Sequence, residues 1–151
     1  MSFKILTVCT ANICRSPVAQ LILEKLLSHH VVVHSAGTLA MSGNPADMMM
    51  QQIMKEKGFI KIEEHRSQPL LPSVMKDYDL LLCMENEHIE MVQNMNPFAT
   101  AKAKLLGQWS QRVEVTDPFG GPENAYRESV EQIEFLAEQW AKKLIDLGML
   151  T

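Results

Sequence analysis

The stretch LTVCTANICRSPVAQ, residues 6 to 20, sets Cys9 and Arg15 at the two ends of one short turn. A turn between a strand end and a helix start points successive backbone N–H groups inward, and the helix adds unsatisfied donors with partial positive charge. Thr10, Ala11, Asn12, Ile13, Cys14, Arg15 and Ser16 read as an anion cradle on this basis. The planar fork of Arg15 can grip two oxygens of a tetrahedral oxyanion, a geometry lysine does not copy. The same donors favour the thiolate of Cys9 over its thiol and make it a nucleophile. A held anion facing a thiolate implies phosphoryl transfer to sulfur, with in-line attack, a cysteinyl-phosphate intermediate and its hydrolysis. That chemistry needs no metal and no cofactor.

The elements that position this turn follow from the hydrophobic pattern. Residues 3 to 8 are apolar and β-prone, and Ser16 with Pro17 supplies a helix N-cap and a favoured first helical residue, which predicts a helix over about 17 to 28. VVVH at 31 to 34 is a second strand, and NPAD at 44 to 47 repeats the cap-then-proline signature before a helix that Gly58 ends. A turn-rich stretch with Pro69 and Pro72 leads through a short helix to YDLLLCM, 78 to 84, a continuous apolar run suited to a strand covered on both faces. ENEHIEMVQNM reads as a helix and AKLLG, 103 to 107, as a fourth strand. Val130, Ile133, Leu136, Ala137, Trp140 and Leu144 form one stripe of a long final helix. Alternating strands and helices with short connections predict an α/β single domain, residues 1 to 151, with a four-stranded parallel sheet, helices on both faces and the phosphate loop between strand 1 and helix 1. Ligands of such sheets bind outside the carboxyl ends of the strands, where the Cys9 turn begins.

Composition narrows the function classes. The formal charge of −4 comes without a long basic run, which gives a nucleic-acid partner no electrostatic support. No segment offers the ~18 uninterrupted apolar residues of a membrane span. The N-terminal MSFKILTVC has one lysine and no small-residue cleavage site, so it reads as a strand and not as a signal peptide. Cys9, Cys14 and Cys83 are an odd set, which favours reduced thiols and a cytoplasmic setting over a disulfide framework. His29, His30, His34 and His88 show no ligand spacing with the cysteines, so no metal site is expected. Met48, Met49 and Met50 read as core and helix filler.

C-T-A-N-I-C-R-S-P resembles the phosphate loop of the low-molecular-weight protein tyrosine phosphatases. The resemblance covers nearly the whole chain: HSAGT at 34 to 38, the Asp-Tyr-Asp-x3-Cys-Met run at 77 to 84, LLG at 105 to 107 and Asp117-Pro118 fall in the family's order. EHIE after the third strand and GQW after the fourth look most like bacterial members that oppose tyrosine autokinases in capsule or exopolysaccharide production. The resemblance implies a phosphotyrosine protein, such as an autokinase with a tyrosine-rich tail, as substrate partner. A small domain with an open cleft is expected to be a monomer.

The resemblance also implies roles for single residues. A phenolate leaves more easily when a carboxylic acid protonates it, and Asp117, in a loop on the site's side of the sheet, is the expected general acid. Asn12 tolerates a left-handed backbone and, as in the family, is expected to bond Ser35. Ser16 is expected to steady the thiolate as it leaves the intermediate, oriented by His65. Cys14 is expected to capture an oxidised Cys9 as a disulfide, which protects it from irreversible oxidation. Phe119 and, by analogy, Leu39 are expected to wall the slot for the phosphotyrosine ring, and a deep slot would reject phosphoserine.

The chain departs from the family at three places. Ala11 stands where glycine is usual, which predicts an ordinary negative φ there or an altered cradle. Gln68 and Pro69 replace an arginine and a glutamine after His65. Gly120 follows Phe119 where many relatives have a second aromatic residue. Two alternatives compete with the phosphatase reading. An arsenate reductase of the same fold needs two further cysteines in a mobile segment, and Cys83 has no second downstream partner. A non-catalytic phosphotyrosine-binding module has no use for a matched thiol and acid.

Overall fold

In the computed structural model, which describes residues 2–27 and 31–148, the first apolar run forms a central strand, β1 (Phe3–Cys9). It pairs in parallel with β2 (Val31–Gly37) on one side and β3 (Leu80–Cys83) on the other. β4 (Ala103–Leu105) pairs with β3, giving the order β2-β1-β3-β4. The helices are α1 (Arg15–Leu27), α2 (Met48–Glu56), α3 (Pro72–Met75), α4 (Asn86–Met95) and α5 (Glu123–Asp146).

Side chains alternate along a strand, so both faces of this sheet must be covered. Ile5 and Cys9 of β1 and Leu80 and Leu82 of β3 face a cluster built with α1, α2 and α5. Leu6 and Val8, with Leu81 and Cys83, face a second cluster that includes Met75 and Val92 of α3 and α4. The predicted stripe of α5, from Val130 to Leu144, is buried throughout. The parallel α/β sheet with helices on both faces is therefore the fold of the chain, and the Cys9 turn sits at the carboxyl end of its central strand.

Several local expectations are corrected. α1 begins at Arg15, two residues earlier than predicted, so Ser16 lies inside the first turn and is not its N-cap. Its hydroxyl is drawn to the sulfur of Cys9 instead. Asp47, not Asn44, caps α2, its side chain accepting from Met50 N–H, and Pro45 lies before the helix and not in it. β2 runs on through Ser35 to Gly37, and a 3₁₀ helix over Ile60–Glu64 stands where no element was expected. Met50 is core, whereas Met48 is 79% exposed. The predicted end of the first helix at Ser28, and His29 and His30, lie outside the described residues. None of the helices among those described is long and apolar enough to cross a membrane.

Candidate active site

β1 delivers Cys9 to the end of the sheet, and the following turn folds back over it into α1. A cavity of about 110 Å³ opens there, lined by the continuous run Cys9 to Arg15 together with Asp117 and Phe119. The N–H groups of Ala11, Asn12, Ile13 and Cys14 donate to no protein acceptor among the described residues. Unpaired backbone donors around a cavity at a helix start are a receptor for an anion. A larger groove of about 480 Å³ around Lys25, Phe59 and Ile60 lies elsewhere and has no cysteine among its lining residues.

The turn is held by Asn12, which adopts φ 58°. Both hydrogens of its side-chain amide are used, one to Ser16 Oγ at 2.8 Å and one to Ser35 Oγ at 3.0 Å. Its side-chain oxygen accepts from Gln68 N–H at 2.9 Å. Ser35 donates onward to Gln20 Oε1 at 2.7 Å, and the Gln68 amide donates to Ser35 O at 2.8 Å. Gln68, one of the departures from the family pattern, is thus part of the loop's scaffold. Ala11 does not take positive φ and is exposed, so the position does not demand a glycine backbone. The true glycine requirement is at Gly37, where a Cβ would collide with the carbonyl oxygen of Thr10 and the nitrogen of Asn12.

Cys9 is buried, with its sulfur 2.9 Å from Ser16 Oγ. Since Ser16 Oγ already accepts from Asn12, the hydroxyl hydrogen is free to point at the sulfur. His65 does not orient Ser16 as expected. Its Nε2 instead donates to the Asn12 backbone carbonyl at 2.6 Å, four residues before Ser16 in the same turn. Burial holds the His65 ring below its ordinary pKa, so its neutral form is favoured. Burial likewise pushes the Cys14 thiol well up, with Asp47, Asp117 and Cys9 adding to the shift. Cys83 is fully buried on β3 and its thiol is raised by the same cause.

Arg15 is only 2% exposed, and its charge is matched. Nη1 donates to Glu85 Oε2 at 2.5 Å and to Val115 O at 2.7 Å. Nε and Nη2 make no protein hydrogen bond among the described residues, which leaves that edge of the fork for a ligand. Asp117 Oδ2 lies 3.8 Å from Nη2, while Oδ1 accepts from Phe119 N–H at 3.1 Å. Phe119 is 61% exposed at the cavity wall and Ile13 supplies a second apolar side chain. Leu39 is 67% exposed and is not among the lining residues, although its N–H donates to Thr10 O at 2.9 Å. Glu85 and the Val115 carbonyl were not anticipated. Only the position of Glu85, just past the end of β3 where ligand sites gather, could have marked it.

Comparison with known proteins gives one consistent result. Residues 4–147 match the family model for low molecular weight phosphotyrosine protein phosphatase. The chain is 36% identical over 141 residues to the low molecular weight protein-tyrosine-phosphatase Etp of Escherichia coli K12, covering 93% of this chain and 94% of that one. It is also 36% identical over 146 residues to a protein-arginine-phosphatase of Geobacillus stearothermophilus, covering 95% and 97%. Vibrio vulnificus Wzb in complex with benzylphosphonate superimposes with a TM-score of 0.90 at 38% identity, over 95% of this chain and all of that one.

Proposed function

The chain belongs to the low molecular weight phosphotyrosine protein phosphatase family, and from that premise we propose that it hydrolyses phosphotyrosine in proteins through a cysteinyl-phosphate. One observation carries the reading: a single cavity gathers a cysteine sulfur, unpaired backbone donors, one free edge of an arginine fork and a carboxylate.

The phosphate sits on the N–H groups of the loop, gripped by Nε and Nη2 of Arg15, with the phosphorus in line with Cys9 Sγ. An S–P bond forms as the P–O bond to the tyrosine ring breaks, and protonated Asp117 gives its proton to the leaving phenolate oxygen. Water then attacks the phosphorus, Asp117 takes up its proton, and the thiolate departs. The Ser16 hydroxyl, oriented by Asn12, donates to that sulfur. Phe119 and Ile13 flank the substrate ring, with Leu39 on the rim beyond. The requirements are met without a metal or cofactor.

Cys14 is the resolving thiol for an oxidised Cys9. The partner we propose is a bacterial tyrosine autokinase of capsule or exopolysaccharide production, in the cytoplasm, met by a monomeric phosphatase. Against the arsenate reductase alternative stands Cys83, which faces the core on the other side of the sheet from Cys9 and Cys14 and has no second cysteine downstream to complete a relay.

The test is phosphate release from phosphotyrosine, phosphoserine and phosphoarginine peptides, with chelator and reductant present. Phosphoarginine is included because one relative is named a protein-arginine-phosphatase. Chelator-resistant turnover confined to phosphotyrosine supports the reading. Preference for phosphoarginine would reassign the substrate, and no turnover with reduced thiols would favour the binding module.

A further inference from the structure

His88 is fully buried at the start of α4, outside the roles given above, yet its ring touches Thr10 at one end of the Cys9-to-Arg15 turn and the Glu85 backbone, whose side chain holds the other end. Its Nε2 lies 2.9 Å from Thr10 Oγ1, and Thr10 follows the nucleophile directly. Its Nδ1 accepts from the backbone N–H of Glu85 at 3.0 Å, and the carboxylate of Glu85 holds Arg15 Nη1. An accepting Nδ1 fixes the tautomer: the one proton of the neutral ring is on Nε2, where it is donated to the Thr10 hydroxyl. Burial, then the Arg15 charge, pushes the ring's pKa down to about 4 against the opposing pull of Glu85, Asp117 and Glu114. A second proton would set a donor against the Glu85 N–H, so the bridge exists only in the neutral form.

We propose that His88 is a positioning residue of the phosphate loop, one imidazole tying the Thr10 hydroxyl beside the nucleophile to the segment that anchors Arg15. It never meets the phosphate itself. Without it one of the ties that set the nucleophile end against the clamp is lost, and a misplacement on the scale of 1 Å between nucleophile and clamp costs about 10²-fold in rate. The inference rests on the phosphatase reading, because it assigns the bridge to the alignment of Cys9 with Arg15.

Asparagine places an acceptor near the position of Nδ1, whereas glutamine places a donor near that of Nε2. His88→Asn therefore keeps the bond from Glu85 N–H, and His88→Gln keeps the bond to Thr10. The expected result is that His88→Ala and His88→Asn lower kcat about 10–100-fold with KM within about threefold. His88→Gln should recover most of the loss, and orthovanadate affinity should follow kcat through the series. Thr10→Val should reproduce the loss, and the double variant with His88→Ala should be no slower than His88→Ala alone, since the bond Thr10→Val deletes is already gone there. Long-range 1H–15N spectra should place the proton of His88 on Nε2 at neutral pH. If the wild type hydrolyses no phosphotyrosine, the functional reading fails by itself, and vanadate affinity and the ring spectrum still decide the bridge. Wild-type behaviour of His88→Asn with a defective His88→Gln would make the ring a helix cap only. Wild-type behaviour of all three His88 variants, or a proton on Nδ1, would equally overturn the proposal.

Discussion

Arg15 Nη2 lies 3.8 Å from Asp117 Oδ2 across the mouth of the cavity, and the other Asp117 oxygen is held by Phe119 N–H. The carboxylate is thus aimed at the space where a phosphate gripped by Arg15 would carry its leaving group. Asp117→Asn should slow hydrolysis by about 10²–10⁴-fold, most for poor leaving groups. Aryl phosphates of graded leaving-group pKa measure this. Equal rates for the variant and the wild type would move the acid elsewhere.

Cys9→Ser should abolish turnover while inorganic phosphate still binds, because the unpaired N–H groups of the loop and the free edge of Arg15 remain. Calorimetric titration with phosphate beside a phosphate-release assay separates the two. Residual turnover well above background would sink the thiolate mechanism.

Asn12→Ala should lower both stability and activity. The substitution places alanine at φ 58° and strips partners from Ser16, Ser35 and the Gln68 N–H, a loss of about 2–4 kcal/mol. Asn12→Gly relieves the backbone term alone and should recover only part of the urea midpoint. A glycine variant equal to the wild type would mean the side-chain bonds carry little.

Stability should fall on mild acidification. The native state holds His88 neutral down to about pH 4, whereas the unfolded chain protonates near the ordinary value of 6.5. Unfolding therefore takes up a proton between these values, and the contribution, full above pH 6.5, is lost as the pH drops toward 4. Its size is roughly 1–3 kcal/mol after screening by the facing Glu85, Asp117 and Glu114. His65, also shifted down by burial, adds in the same direction. Urea midpoints from pH 7 to 4.5 should drop more steeply in the wild type than in His88→Gln, and parallel slopes would refute the assignment.

Cys14 is a thiol at neutral pH, its ionisation suppressed by burial, so it contributes no charge to the cradle. Cys14→Ser should leave turnover nearly intact but make peroxide inactivation resistant to thiol reductants. Equal recovery of both proteins after reduction would remove the protective role.

The turn from Cys9 to Arg15 was legible because its chemistry is written in adjacent residues, and the sheet because each strand is a short apolar run between helix signals. The residues that complete the site were not. Glu85, the Val115 carbonyl and His88 reach the turn from 70 to 100 positions away, and apart from the place of Glu85 just past β3, nothing local distinguishes them from a helix start, a loop and a core histidine. Ser16 was misread for a related reason. Its type and the proline after it signal a cap, but Cys9 and Asn12 compete for the hydroxyl and the helix starts earlier. Asp47 displaced Asn44 as a cap because its N–H is tied to the Ile13 carbonyl at 2.9 Å, which brings the helix start to the phosphate loop.

The loop's ties have a kinetic consequence. Asn12 is fastened to Ser35 and Gln68, 23 and 56 positions away, and Arg15 to Glu85 and Val115, 70 and 100 positions away. A seven-residue turn therefore acquires its shape only after most of the chain has closed its long-range loops, and such closures are the slow, entropically costly part of folding. An excised peptide of residues 6 to 20 has nothing to hold it in register and should show no affinity for phosphate. In refolding, return of activity should trail the return of helical signal, which makes catalysis a reporter of the last contacts to form.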